Sequence, residues 1–180
     1  MKKGASAFLA ALFVGGCASP GAEMPTQQGV ELDKYSGVWY EQARLPNWFQ
    51  KACVGDVKAE YTIESDTTIG VTNTCRTADG STKTATAEGR LASDVKPLNP
   101  AKLEVRFAPQ WLSWLPMVWG DYWILKLEGD YQYSLVGTPD LKYLWVLSRE
   151  QKADRQVVKS LLDYAETLGF PVSEIEGMQR

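Results

Sequence analysis

From Gly37 to Ser148 the chain repeats one pattern: a short stretch of alternating apolar and polar residues, then a cluster of turn formers. Alternation with a period of two is what a half-buried strand needs, because successive side chains leave the backbone on opposite faces. Val57, Ala59, Tyr61 and Ile63 share one face of one stretch, and Ile69, Val71, Asn73 and Cys75 share a face of the next. Glu64-Ser65-Asp66 and Asp79-Gly80-Ser81 supply turns. Thr82 to Leu91 places small Ala85, Ala87 and Gly89 on one side, and Leu103, Val105 and Phe107 alternate with Lys102, Glu104 and Arg106. Tyr122 to Leu127, Tyr131 to Gly137 and Tyr143 to Ser148 follow, and Gly37-Val38-Trp39-Tyr40 opens the series, which makes eight strands. Eight strands joined by short turns suit an all-β, antiparallel up-and-down barrel, which has no exposed edge and leaves room for one small ligand; periodicity alone also fits a sandwich.

One segment breaks the rhythm. Between Lys152 and Leu168 the residues Val157, Val158, Leu161, Leu162, Ala165 and Leu168 form an apolar stripe at helical spacing. Gly169 ends it and Pro171 forbids its continuation. Val172 to Glu176 reads as a short final strand.

Three short motifs decide between barrel and sandwich. Gly37-Val38-Trp39, Gly120-Asp121-Tyr122-Trp123 and Tyr143-Leu144-Trp145-Val146-Leu147-Ser148-Arg149 fall in an order and spacing that resemble the lipocalin family, over roughly residues 31 to 178. Within it the similarity is to the bacterial outer-membrane lipoproteins related to apolipoprotein D. The resemblance implies a lipocalin barrel with its C-terminal helix packed on the wall, and a structural role for Gly37, Trp39, Asp121, Tyr122 and Arg149. A closed barrel would bring Arg149 over the Trp39 indole at the closed end, a cation-π contact worth about 0.5 to 2 kcal/mol.

The N-terminus has a different character. Lys2-Lys3 precede an apolar run, Ala5 to Val14, too short to span a bilayer, as in a secretory signal over residues 1–16. The run ends in Val14-Gly15-Gly16-Cys17, which resembles a lipobox, and implies that Cys17 is acylated and fixes the protein to a membrane. Residue 18 is Ala; by the sorting rule of Gram-negative lipoproteins that implies the periplasmic face of the outer membrane. Residues 17–31 read as a lipidated N-terminus and soft tether, with an average span of roughly 20 Å, and residues 32–178 as the folded domain.

Composition narrows the function classes. Without the signal, 17 basic residues stand against 22 acidic ones, a balance of −5, and no basic stripe is present for nucleic acid. The chain has no histidine, so histidine relays and histidine metal sites are excluded, and no cofactor motif appears. With Cys17 acylated, Cys53 and Cys75 are the remaining pair; in an oxidising compartment they are expected to bond, the alternative being two buried thiols. Some lipocalins catalyse reactions, one of them through a cavity thiol, and a bonded pair would close that route.

Two connections on one rim of such a barrel are unusually apolar. Leu45 to Ala52 carries Trp48 and Phe49, and Ala108 to Val118 carries Trp111 and Trp114. This mouth cluster could line a ligand entrance, dip into a membrane interface, form a homodimer contact, or fold inward as a lid. Side-chain parity assigns Trp123, Leu125, Tyr133, Tyr143 and Trp145 to the cavity lining, with outward packing against the helix the alternative for each, and a one-residue slip would reverse them all. Together these readings describe a non-enzymatic lipocalin that binds a fatty acid or lysophospholipid for lipid storage or transport near the outer membrane. The alternatives are an envelope lipoprotein with a structural or interaction role, and a lipocalin-fold enzyme using a free cavity thiol.

Overall fold

The structure is a computed structural model and describes residues 23–92, 98–108 and 115–177. After a single helical turn, α1 (Leu32–Tyr35), eight antiparallel strands follow: β1 (Gly37–Arg44), β2 (Cys53–Ile63), β3 (Thr68–Thr77), β4 (Thr82–Leu91), β5 (Lys102–Arg106), β6 (Gly120–Glu128), β7 (Tyr133–Gly137) and β8 (Leu144–Ser148). Each strand pairs with its sequence neighbours, and β8 returns to β1, which closes the barrel. The connections β1–β2, β3–β4, β5–β6 and β7–β8 therefore share one end, the mouth, and the intervening connections share the floor.

Two apolar clusters divide the molecule between the inside and the outside of this wall. The inner one includes Tyr35, Trp39, Tyr61, Ile69, Val71, Leu103, Tyr122, Ile124, Val136 and Leu147, with Trp145 packed against it. The outer one joins Ala43, Leu125, Leu135, Leu144 and Val146 to the stripe Val158, Leu161, Leu162 and Ala165 of the second helix, α2 (Arg155–Thr167). Burial of each valine or leucine of that stripe contributes about 1.5 to 3 kcal/mol. Asp154 caps α2, its carboxylate accepting from the backbone N–H of Gln156 at 2.7 Å, so the helix starts after the Lys152 expected from the stripe. Gly169, at φ +96°, ends it in the left-handed conformation a side chain would resist.

Several expectations are corrected. Val172 to Glu176 is not a strand: a 3-10 turn spans Val172–Glu174, and Glu176 makes one isolated bridge to Arg44. Phe107 lies outside β5 and is exposed. Lys102 and Arg106, expected on a solvated face of β5, are buried. Lys102 extends under the Trp123 ring, its Nζ 4.1 Å from the centroid, and pairs with Glu23; Arg106 pairs with Glu88 at 2.6 Å and lies 5.2 Å from the Trp119 centroid. Long cationic side chains bury their stems against aromatic surface while keeping an acidic partner, so their charge does not predict exposure.

Part of the stretch expected as a soft tether is held in place. Residues 23–31 are docked on the barrel: Val30 is buried in the inner cluster, Met24 packs on the outer one, and Gln27 binds the edge of β6 through Ile124 and Leu127. That edge is open because β5 begins only at Lys102, and its unpaired backbone groups take the N-terminal segment as a partner. The expected signal, residues 1–16, and the expected anchor Cys17 lie outside the described residues.

Candidate functional site

The floor is built to close. Arg149 places its guanidinium 3.9 Å from the Trp39 ring centroid and donates to the carbonyls of Val38 (2.9 Å), Lys34 (2.7 Å), Tyr35 (3.2 Å) and Tyr131 (3.3 Å). The Trp39 indole N–H donates to the Tyr35 carbonyl at 2.8 Å. Gly37, at φ +93°, brings its backbone under Arg149, and an added Cβ there would stand 3.4 Å from Nη1. Burial lowers the Arg149 pKa from its ordinary value. The guanidinium is committed to four backbone carbonyls and to the indole face, so this pair is a plug.

Above the plug lies a run of hydroxyls. Tyr61 and Tyr122 are 2.7 Å apart, Tyr122 and Tyr35 3.0 Å, and Tyr35 and Ser134 3.1 Å, all buried. Desolvation raises all three phenols, Tyr35 to about 12. They remain neutral donors and acceptors at any physiological pH, and they satisfy one another inside an otherwise apolar floor. Asp121, in the second motif, faces Glu104 across the β5–β6 pair and is exposed.

Toward the mouth the inner wall is apolar, with Ala59, Val71, Ala87, Val105, Val136 and Leu147, and then it changes. Cross-strand partners share a face, and in the β1–β8 register Glu41 is opposite Leu147 and Arg44 opposite Trp145, so both charges point into the barrel. A bulge between Glu41 and Ala43 makes this possible by turning Ala43 outward under α2. Arg44 pairs with Glu41 at 2.6 Å and with Glu176 at 3.1 Å, while its buried Nε finds no acceptor among the described residues. Gln50 reaches in from the β1–β2 connection: its amide donates to Glu41 at 2.8 Å, and its carbonyl accepts from the Trp145 indole at 3.0 Å and from Asn47 at 2.6 Å. Phe49 packs beside Tyr143 and Trp145, with ring centroids 5.5 and 6.4 Å apart, and those two stack on each other at 6.0 Å. A shallow, open hollow of about 600 Å³ adjoins this end beside Ala52, Thr77 and Lys83.

The assigned lining residues divide. Tyr143 and Trp145 face the mouth, whereas Trp123, Leu125 and Tyr133 stand on the outer wall with the helix. Tyr133 accepts through its hydroxyl from the Asp154 N–H at 3.1 Å, Leu125 is buried, and Trp123 packs on the outer cluster above Lys102. Parity failed because β6, β7 and β8 are apolar on both faces, one toward the lumen and one toward α2, and because a bulge between Ile124 and Lys126 breaks the alternation of β6. Glu41, Arg44 and Gln50 are site residues that motif and parity do not single out; for the first two the available signal is a pair of opposite charges in a strand that opens Gly37-Val38-Trp39-Tyr40. Of the rim residues, Trp48 is 73% exposed, Phe49 packs beside Tyr143 and Trp145 yet keeps an exposed face, and Gln50 turns inward, so this connection is part lid and part outward surface. Trp111 and Trp114 lie outside the described residues. Cys53 and Cys75 are bonded, with Cα atoms 5.5 Å apart, so neither thiol of the pair is available as a nucleophile.

The comparisons agree with this architecture. Residues 30–180 match the family model of the lipocalin-like domain. The chain is 36% identical over 154 residues to temperature-induced lipocalin-1 of Arabidopsis thaliana, covering 85% of this chain and 81% of that protein. It is 33% identical over 157 residues to apolipoprotein D of Macaca fascicularis, covering 82% and 74%. It is 28% identical over 177 residues to the outer membrane lipoprotein Blc of Escherichia coli, covering 97% and 94%. Among solved structures, insecticyanin of the tobacco hornworm Manduca sexta superposes with a TM-score of 0.64 at 21% identity, covering 87% of this chain and 83% of that one, a likeness of fold alone.

Proposed function

This chain belongs to the lipocalin family, and from that premise we propose that it is a carrier for one acyl lipid, a fatty acid or a lysophospholipid, held in the barrel with its polar end at the mouth. The observation that carries this reading is the gradient along the lumen: apolar walls above a neutral, self-satisfied floor, then an aromatic and charged collar of Phe49, Tyr143, Trp145, Glu41 and Arg44. A flexible hydrocarbon gains about 0.8 kcal/mol per methylene buried against such walls, and its head group keeps its hydrogen bonds only at the open end. Arg44, with one nitrogen unpartnered among the described residues, suits a carboxylate or phosphate; Glu41 beside it favours a zwitterion.

The lipid is handled at a membrane. Residues 1–16 act as a lipoprotein signal, acylated Cys17 holds the domain on the periplasmic face of an outer membrane, and the carrier serves lipid storage or transport in envelope maintenance. The likeness to outer membrane lipoproteins supports this location, and two or more acyl chains anchor firmly where one holds only marginally.

Native mass spectrometry of the protein purified from its own envelope tests the reading. One co-purifying lipid per chain is expected. An empty barrel in stable complex with another protein would instead favour a structural role for the rim, and a doubled mass without lipid a homodimer.

A further inference from the structure

The N-terminal segment does not hang free from the floor; it climbs the wall. Glu31 donates its N–H to the Tyr131 hydroxyl in the floor connection β6–β7, Gln27 binds Ile124 and Leu127 along β6, and Glu23 meets Lys102, whose ammonium lies under Trp123. Trp123 is in register with Gly137, the last residue of β7 before the mouth connection. Trp123 is equally in register with Lys102, which opens β5 just above the floor connection β4–β5, so the described chain ends partway up the staggered outer wall, pointing away from the floor. Cys17 stands six residues earlier. Six extended residues reach about 20 Å.

The end of the barrel toward which that segment points is also where the exposed large apolar side chains are concentrated. Trp48 (73% exposed), Phe49 (36%) and Met117 (85%) lie in mouth connections, and Phe107 (52%) follows β5 at the same end. Exposed Lys51 stands among them. The floor exposes only the aliphatic Ile63 and Leu98 among the described residues. Aromatic and thioether groups flanked by a cation suit the boundary between head groups and acyl chains, and connecting loops carry such groups at a cost in water.

We infer that the barrel docks mouth-down on the bilayer that holds its anchor, with Trp48, Phe49, Phe107 and Met117 seated in the membrane interface. The inference rests on the reading of Cys17 as the lipid anchor. Its occupant is the lipid surface itself, and its consequence is that a lipid leaving the bilayer enters the lumen beside Phe49 and Trp145 without crossing water.

Two nitroxide labels on the mature, acylated protein test it, one at Met117→Cys and one at Ile63→Cys. Both positions are exposed, so the fold tolerates them, and the Cys53–Cys75 bond leaves the introduced thiol as the one to label. The protein is bound to vesicles of phosphatidylethanolamine and phosphatidylglycerol, and each label is read for collisions with oxygen, which concentrates in lipid, and with a water-soluble nickel chelate. The oxygen-to-nickel ratio is expected to be several-fold higher at 117 than at 63. Equal, water-like ratios on protein that floats with the vesicles, or a higher ratio at 63, would overturn the orientation. A protein that does not float would instead overturn the Cys17 reading, and the orientation would fall with it by a separate signature.

Discussion

Both ends of this barrel contain a buried or half-buried arginine, and the two are treated in opposite ways. At the floor, Arg149 lies flat on an indole and gives its N–H groups to four backbone carbonyls. At the mouth, Arg44 meets side-chain carboxylates and keeps a buried Nε without an acceptor among the described residues. Backbone acceptors cannot move away or be titrated, so the first arrangement locks. Side-chain acceptors can exchange for a ligand's, so the second remains open to competition. The difference teaches where to look for function: at the charge whose partners are replaceable.

The largest effect that could break this contrast is at the floor. Arg149→Ala removes the cation-π contact and leaves four carbonyls short of a donor, and is expected to cost on the order of 3 kcal/mol, or roughly 10 °C in Tm, with lipid affinity of the folded fraction unchanged. Thermal melts beside lipid titrations check it; a collapse of affinity at constant Tm would make Arg149 a ligand group. Next comes alkaline pH. The folded phenols of Tyr35, Tyr61 and Tyr122 hold their protons above the ordinary value near 10, so the folded state binds more protons there than the unfolded one. Their stabilisation is present in full below pH 10 and is lost as pH rises toward 12, roughly 2 kcal/mol in all by pH 11, since coupled phenols do not titrate independently. Denaturant melts at pH 8 and pH 11, followed with tyrosinate absorbance, read this directly.

At the mouth the expected changes are in affinity. Glu41→Gln frees Arg44 from its nearest carboxylate, and fatty-acid binding is expected to tighten about tenfold, near 1.4 kcal/mol, while an uncharged monoacylglycerol is unaffected. Competition against a fluorescent fatty acid measures both; equal changes for both ligands would remove Arg44 from head-group contact. The smallest effect belongs to Glu23→Gln. That pair is exposed on the Glu23 side, so the loss is within about 1 kcal/mol, but amide exchange at Gln27 should quicken if the segment is held to the wall partly by this contact.

How legible this was in the sequence varied with how much of the wall was buried on one side only. β3 and β4 alternate cleanly, because their outer faces meet water, and Ile69, Val71 and Cys75 are buried as their spacing predicts. The three motifs marked both the closure and the Trp39–Arg149 contact. The wall under α2 was unreadable by parity, since Leu125, Leu135 and Val146 are as buried on the outside as Ile124, Val136 and Leu147 are within. Glu41 shares the inward face of Trp39 by simple alternation, but the bulge that turns Ala43 outward leaves no mark in residue type, so the inward direction of Arg44 could not be foreseen. The docked course of residues 23–31 depends on an edge of β6 that exists only because β5 is short, a property of the closed sheet and not of the segment itself.

One measurement bears most directly on the lumen as the lipid site. A fatty acid brominated near mid-chain, crystallised with the protein, would report the bromine by its anomalous scattering. A single peak inside the barrel among Val71, Val136 and Leu147, with the carboxylate beside Arg44, is the expected result. A peak on the outer wall against Trp123 and α2, or a lumen that stays closed to the lipid at saturating concentration, would contradict the account.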